Sequence, residues 1–246
     1  MSFARIGFEV RPLFSRDEVG QLRSAISDHM DRVAHALLKP YAETAPGAAF
    51  DERIERIAEH DQSFAQLLGI SVTTDGFRDP AVAGLAHHPR LAELARKVAR
   101  CDVGERIFRF RANSSALPHG RQAWHSDVSR CDEGECSLLR VTAWIPLDDA
   151  GPATGGLEVA PGLRRQPLPH DESGIKLTIL ENSLAEARTI IPQVKAGHCL
   201  LLDRFTPHRA LVNRSGKTRW SLVVWLKAKP EEASAGLSSA TDQAHV

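Results

Sequence analysis

His125-Ser126-Asp127 sets an imidazole and a carboxylate two residues apart, the H-x-D form of a metal chelate. A chain of 246 residues with 11 histidines produces about one such triplet by chance, so the setting of the motif decides its meaning. His29-Met30-Asp31 has the same form inside a helical pattern, where residues two apart point about 200° away from each other and cannot share an ion. It reads as solvated helix surface. His170-Asp171-Glu172 lies in a proline-flanked stretch without strand character and reads the same way. His125 and Asp127 instead follow a loop, Pro118 to Gln122, and open an extended segment, where positions i and i+2 share one face about 7 Å apart. A third ligand has to come from elsewhere in the chain, and His208 is the candidate, after an apolar run from Cys199 to Asp203 and a Thr206-Pro207 bend. Two histidines and one carboxylate on one face of an octahedral ion leave three positions open, the arrangement for non-haem iron(II) activating oxygen. Arg219 opens the last apolar strand and offers a bidentate partner for a carboxylate, a bond of roughly 1.5 to 3 kcal/mol when shielded from water.

The elements that must position these groups change character near residue 105. A short strand at Gly7 to Val10 precedes Ser15 and Glu18, a capping box, and Val19, Leu22, Ile26, Met30, Val33 and Leu37 follow at helical spacing. Pro40, Pro46 and Gly47 end that helix, Ile54 to Leu68 predicts a second, and Pro80 and Pro89 mark the first turns of two short ones reaching Arg100. Beyond 105 come short apolar runs split by glycine and proline: Ile107 to Arg111, Leu138 to Pro146, Gly156 to Ala160, Leu177 to Leu180, Cys199 to Leu202 and Trp220 to Leu226. Strands without intervening helices predict an antiparallel sandwich or barrel. In the first of them, Arg109 and Arg111 alternate with Phe108 and Phe110. If the aromatic face packs on the helices, the arginines enter the barrel mouth and can hold an anionic substrate.

Composition narrows the partners. The chain is 42% apolar and 25% charged, with 31 basic and 31 acidic residues, so it lacks the bulk field that gathers nucleic acid or anionic membrane. It has no apolar run near the roughly 18 residues of a membrane span and no signal-peptide pattern at its start. Four cysteines at 101, 131, 136 and 199 fit reduced thiols and a cytoplasmic location better than a disulfide frame.

Three segments together resemble the phytanoyl-CoA dioxygenase family of iron(II)/2-oxoglutarate oxygenases: W-H-S-D at Trp124 to Asp127, V-T-A-W-I-P-L-D-D-A with G-G-L-E-V-A-P-G between Val141 and Gly162, and His208 followed eleven residues later by Arg219. The resemblance covers about residues 5 to 228. It implies a mostly β fold with packed helices (α+β): a double-stranded β-helix, or cupin-like jelly roll, with an N-terminal helical layer. The implied organisation is one domain over 1–229, helix-rich to 104 and jelly roll from 105, with a disordered tail at 230–246. It further implies iron(II) on His125, Asp127 and His208, the 2-oxoglutarate C5 carboxylate on Arg219, and Trp144 and Ser126 beside that cosubstrate. The implied reaction consumes O2 and 2-oxoglutarate, releases succinate and CO2, and hydroxylates an unactivated C–H bond of a small molecule from amino-acid or natural-product metabolism. Residues 40 to 80 and 163 to 175 would supply the lid. With Asp127 present, hydroxylation is favoured over halogenation. The chain departs from the family at Asn113-Ser114-Ser115, where a Lys-Pro turn is common, at Leu163-Arg164-Arg165 and at His198. A different reading is a non-redox cupin-like metal protein or isomerase, which has no need of a dicarboxylate clamp at Arg219. Nucleic-acid dealkylation would call for a basic surface and an R-x-N motif.

Overall fold

A computed structural model describes residues 3–74, 77–117, 122–129, 138–162, 164, 166–171 and 178–229. The expected tail at 230–246, Cys131, Cys136 and much of the 163–175 stretch lie outside these. Cys101 and Cys199 are buried free thiols. Among the described residues, no helix is long and apolar enough to cross a membrane.

The first hundred residues form α1 (Phe3–Ile6), β1 (Phe8–Pro12), α2 (Arg16–Ala36), α3 (Arg53–Ala58), α4 (Gln62–Thr73), α5 (Pro80–Ala86) and α6 (Pro89–Ala99). The capping box is present: the Ser15 hydroxyl accepts from Glu18 N at 3.2 Å while Ser15 N donates to Glu18 Oε2 at 2.7 Å. The single helix expected over 54–68 is two. Asp61 accepts from Phe64 N at 2.9 Å and caps a fresh helix, α4, where α3 has run out.

Strands follow: β2 (Val103–Asn113), β3 (Leu139–Pro146), β4 (Leu157–Val159), β5 (His170–Asp171), β6 (Thr178–Ile179), β7 (His198–Asp203), β8 (His208–Ala210) and β9 (Arg219–Ala228). A five-stranded antiparallel sheet runs in the order β1-β7-β3-β9-β2, β4 pairs with β8 in a smaller sheet, and β5 with β6 in a hairpin. This is the jelly roll with a helical layer.

Strand alternation divides the large sheet into two chemistries. Val141, Ala143 and Ile145 of β3, Cys199 and Leu201 of β7, Trp220, Leu222, Val224 and Leu226 of β9, and Phe110 and Ala112 of β2 share one core with Leu22, Ile26, Met30, Leu68 and Leu91 of the helices. Each valine, leucine, isoleucine, phenylalanine or methionine among them contributes about 1.5 to 3 kcal/mol when fully buried. The intervening residues face the small sheet, where Trp144, Leu200, Leu202 and Val223 pack with Leu157 and Val159 of β4. The helices therefore hold the sheet from behind, and its front is left for the site. His29, expected as solvated surface, packs edge-on against Phe77 with ring centroids 4.7 Å apart, because its position on α2 turns it toward the residues between α4 and α5, where Phe77 in turn packs on Phe110 of β2. Asp31 does stay at the surface, paired with Arg53.

Candidate metal centre and its cavity

His125 and His208 lie 83 positions apart in sequence but are direct cross-strand neighbours. His125 N donates to His208 O at 3.1 Å, His208 N donates to His125 O at 2.9 Å, and the ring centroids are 4.2 Å apart. A register slip of one residue would send both rings to the opposite face. Each Nδ1 is spent on a carbonyl, His125 on Ala123 O at 2.8 Å and His208 on Thr206 O at 3.0 Å. A carbonyl only accepts, so the proton sits on Nδ1 and Nε2 is left as a lone-pair donor.

Asp127 joins them through Oδ2, 3.9 Å from His208 Nε2. One ligand atom from each of His125, Asp127 and His208 lies within 4.8 Å of the others. Burial, reinforced by the neighbouring His208, pushes the His125 imidazole down to about 4, which keeps it neutral at ordinary pH. Burial works to raise the Asp127 carboxyl, but the two histidines and hydrogen bonds from Trp225 and Thr142 outweigh it and hold it below the usual carboxylate range. Two imidazoles that present Nε2 and one anionic carboxylate form a donor set suited to a divalent first-row ion.

The three groups line a cavity of about 50 Å³ together with Arg111, Trp144 and Arg219. Arg219 is 4% exposed. Its Nη1 donates to Ser221 Oγ at 2.9 Å and its Nη2 to Gly155 O at 2.8 Å, while Nε is buried with no hydrogen-bond partner. Burial pushes the guanidinium down to about 10, against the pull of Asp148. Trp144 covers it, with the Arg219 Cζ 5.0 Å from the indole centroid. Gly155 holds φ +70°, and a Cβ there would stand 2.4 Å from Asn113 Nδ2, so glycine is required where its carbonyl receives both Asn113 and Arg219.

The remaining expected residues divide. Arg111 faces inward and lines the cavity, its Cζ 5.7 Å from the Trp225 ring. Arg109 shares that face, opposite Val223, but is not part of the lining. Ser126, expected to touch the cosubstrate, is turned away from the cavity and donates to Val128 O at 2.9 Å. The reason is alternation, since a residue between two inward ligands on an extended segment points outward. None of residues 40–80 lines the cavity among the described residues. At the family departure, Asn113 Nδ2 is occupied by Gly155 O and Leu211 O, so it braces the strand end and reaches no ligand atom.

Three neighbours of the centre escaped the sequence reading. Thr142 Oγ1 donates to Asp127 Oδ2 at 2.8 Å and Trp225 Nε1 to Asp127 Oδ1 at 2.9 Å. Both share a strand face with residues already singled out, Thr142 two before Trp144 and Trp225 six after Arg219, and that period of two was a usable signal. His170, read as loop surface, lies in β5 and accepts from Ser126 N at 3.3 Å, while Ile179 N of β6 donates to Trp124 O at 2.7 Å. The hairpin is thus fastened to the H-x-D segment, and no local pattern announced it.

A family model described as Phytanoyl-CoA dioxygenase (PhyH) matches residues 8–221. No curated protein matches the chain. Solved structures of similar fold include the non-heme alpha ketoglutarate dependent carbocyclase SnoK from nogalamycin biosynthesis, at 18% identity and TM-score 0.58, covering 92% of this chain and 81% of that one. The epimerase SnoN, in complex with Fe3+, alpha ketoglutarate and nogalamycin RO, is similar at 18% identity and TM-score 0.57, covering 92% and 80%. EvdO2 from Micromonospora carbonacea var. aurantiaca, complexed with 2-oxoglutarate, is similar at 20% identity and TM-score 0.54, covering 94% and 93%.

Proposed function

The chain belongs to the phytanoyl-CoA dioxygenase family, and from that premise we propose that it is an iron(II)- and 2-oxoglutarate-dependent dioxygenase that hydroxylates an unactivated C–H bond of a small molecule. The observation that carries the reading is one juxtaposition. A buried two-histidine, one-carboxylate cluster shares its cavity with a buried guanidinium whose Nε has no partner. A cupin-like protein that only stores a metal has no use for such a cation.

In this reading His125, Asp127 and His208 hold the iron, and Arg219 receives the distal carboxylate of 2-oxoglutarate, using the donor left idle in the fold. Iron(II) with 2-oxoglutarate and O2 supplies an oxidant strong enough to remove hydrogen from carbon, with succinate and CO2 as by-products. The chain supplies geometry and dryness. The Nδ1 bonds to Ala123 O and Thr206 O aim both imidazoles. Leu157, Leu202 and Val223 form an apolar wall that keeps water from the centre, and Trp144 covers Arg219 so that its charge is strongest for an anion inside the cavity. Arg111, at the cavity, is placed to orient an anionic group of the substrate, with Arg109 behind it on the same face. The proteins of similar fold named above include a carbocyclase from nogalamycin biosynthesis and an epimerase in complex with nogalamycin RO. That supports a natural-product or related small metabolite as substrate here.

The test is an anaerobic titration of metal-free protein with iron(II) and 2-oxoglutarate, following the visible charge-transfer band of the chelated keto acid. The wild type develops the band, and Asp127→Ala and Arg219→Ala lose most of it. Tight metal binding with no band in the wild type would overturn the oxygenase reading in favour of the cupin-like one.

A further inference from the structure

Asp127 is unlike the two histidine ligands in where it sits. His125 and His208 are fixed to each other by an antiparallel β-bridge, whereas Asp127 lies outside the bridge and outside the strands described above, and a carboxylate there is free to rotate about its last bond unless something holds it. What meets it is a pair of donors from the sheet floor. Thr142 of β3 and Trp225 of β9 are partners in register across adjacent strands, both on the inward face. The hydroxyl takes Oδ2 at 2.8 Å and the indole N–H takes Oδ1 at 2.9 Å. Rotating the carboxylate would break both bonds at once, in a place where the Asp127 side chain is only 10% exposed and water cannot readily replace them. The indole is itself fixed, packed against Val128, Leu139 and Phe205 on one side and lying under Arg111 on another.

We infer that Thr142 and Trp225 are positioning residues that lock the Asp127 carboxylate so that Oδ2 is presented beside His208 Nε2 and Oδ1 is held away by the indole. The inference rests on the proposed function, since it assigns these donors to the metal centre. Two side chains that never touch the ion thereby tune its affinity. The bonds also explain why a tryptophan, costly to bury without a partner for its N–H, stands at this position of β9.

Cobalt(II), which needs neither O2 nor turnover, is the probe. Its affinity for metal-free protein is measured from its visible absorption in Thr142→Val, Trp225→Phe and the double variant, alongside the thermal midpoint of each without metal. Valine keeps the shape of threonine and phenylalanine keeps an aromatic ring, so each change removes one donor. Affinity should fall about 10- to 100-fold for each donor lost, and further in the double variant. Thr142→Ser, which restores the hydroxyl, should recover most of the loss. A purely structural role predicts lowered metal-free midpoints with cobalt affinity unchanged, and that result overturns the inference while leaving the oxygenase reading intact. No cobalt binding by the wild type itself overturns both. Should Trp225→Phe fail to fold, the Thr142 pair of variants decides alone.

Discussion

Arg219 carries a positive charge into a site where its hydrogen-bond partners are a hydroxyl and a carbonyl. Removing an ion from water with no carboxylate in direct contact costs several kcal/mol, and burial, against the pull of Asp148, brings its pKa down to about 10. Because the ordinary arginine value lies above that, the charged form is penalised in the folded state at every pH below about 10, including neutral pH. A dicarboxylate entering the cavity would relieve the penalty. Replacing Arg219 with Met removes both the penalty and the reason for binding. Relief of a penalty of about 3 kcal/mol offsets much of the two charge-assisted hydrogen bonds lost, about 1.5 to 3 kcal/mol each, so the ligand-free variant is expected to melt close to the wild type. In the presence of 2-oxoglutarate and a non-reactive divalent metal, the wild-type midpoint should rise and the variant's should not. Differential scanning fluorimetry checks this, and a marked drop in the ligand-free midpoint would show that the guanidinium is a net stabiliser.

At the scale of elements, the strands that bear Asn113 and Arg219 end side by side, since these two residues are partners in the β2–β9 register. Glu55 of α3 ties those ends to the helical layer. Its Oε1 accepts from Ser114 Oγ at 2.6 Å and Thr218 Oγ1 at 3.3 Å, and its Oε2 from Ser115 Oγ at 2.9 Å. Asp51 adds a second tie, its carbonyl accepting from Thr218 N at 2.6 Å. Thr218 precedes Arg219, so the helix bracket also sets the start of the strand that bears the clamp. Glu55→Ala leaves three hydroxyls to find water and should lower unfolding stability by about 1 to 2 kcal/mol, read as a shifted urea midpoint at constant slope. It should also weaken 2-oxoglutarate binding several-fold while leaving cobalt affinity unchanged, because Asp127 is held by β3 and β9 farther along. The Ser114 and Ser115 hydroxyls are part of what stands in the family's Lys-Pro position. In this chain that turn serves as a bracket.

For the whole molecule, the helices and the rear of the large sheet share one apolar core. Stripping the helical layer would expose Val141, Ile145, Leu222, Val224 and Leu226 together, a loss on the order of 10 kcal/mol, comparable with the entire net stability of a typical domain. A fragment comprising residues 102–246, which also lacks β1 at the edge of the large sheet, should therefore fail to unfold cooperatively and should not bind cobalt. A sharp thermal transition with intact metal affinity would show that the jelly roll stands alone. By itself the sequence determined what local patterns carry: the capping box at Ser15, the two-residue period that puts Arg109 and Arg111 on one strand face, and the His125, Asp127, His208 and Arg219 set whose residue types suit one chemistry. It also carried enough of the family's motifs to place the fold. It did not determine contacts that no short-range pattern encodes. The approach of His170 to Ser126 turned on a hairpin docking across the site. Thr142 and Trp225 are 83 residues apart in sequence, and only the register of β3 against β9 brings their two donors to one carboxylate. Register follows from closure of the sheet on its helical layer, a property of the whole core, so tertiary structure alone decided which side chains hold the ligands in place.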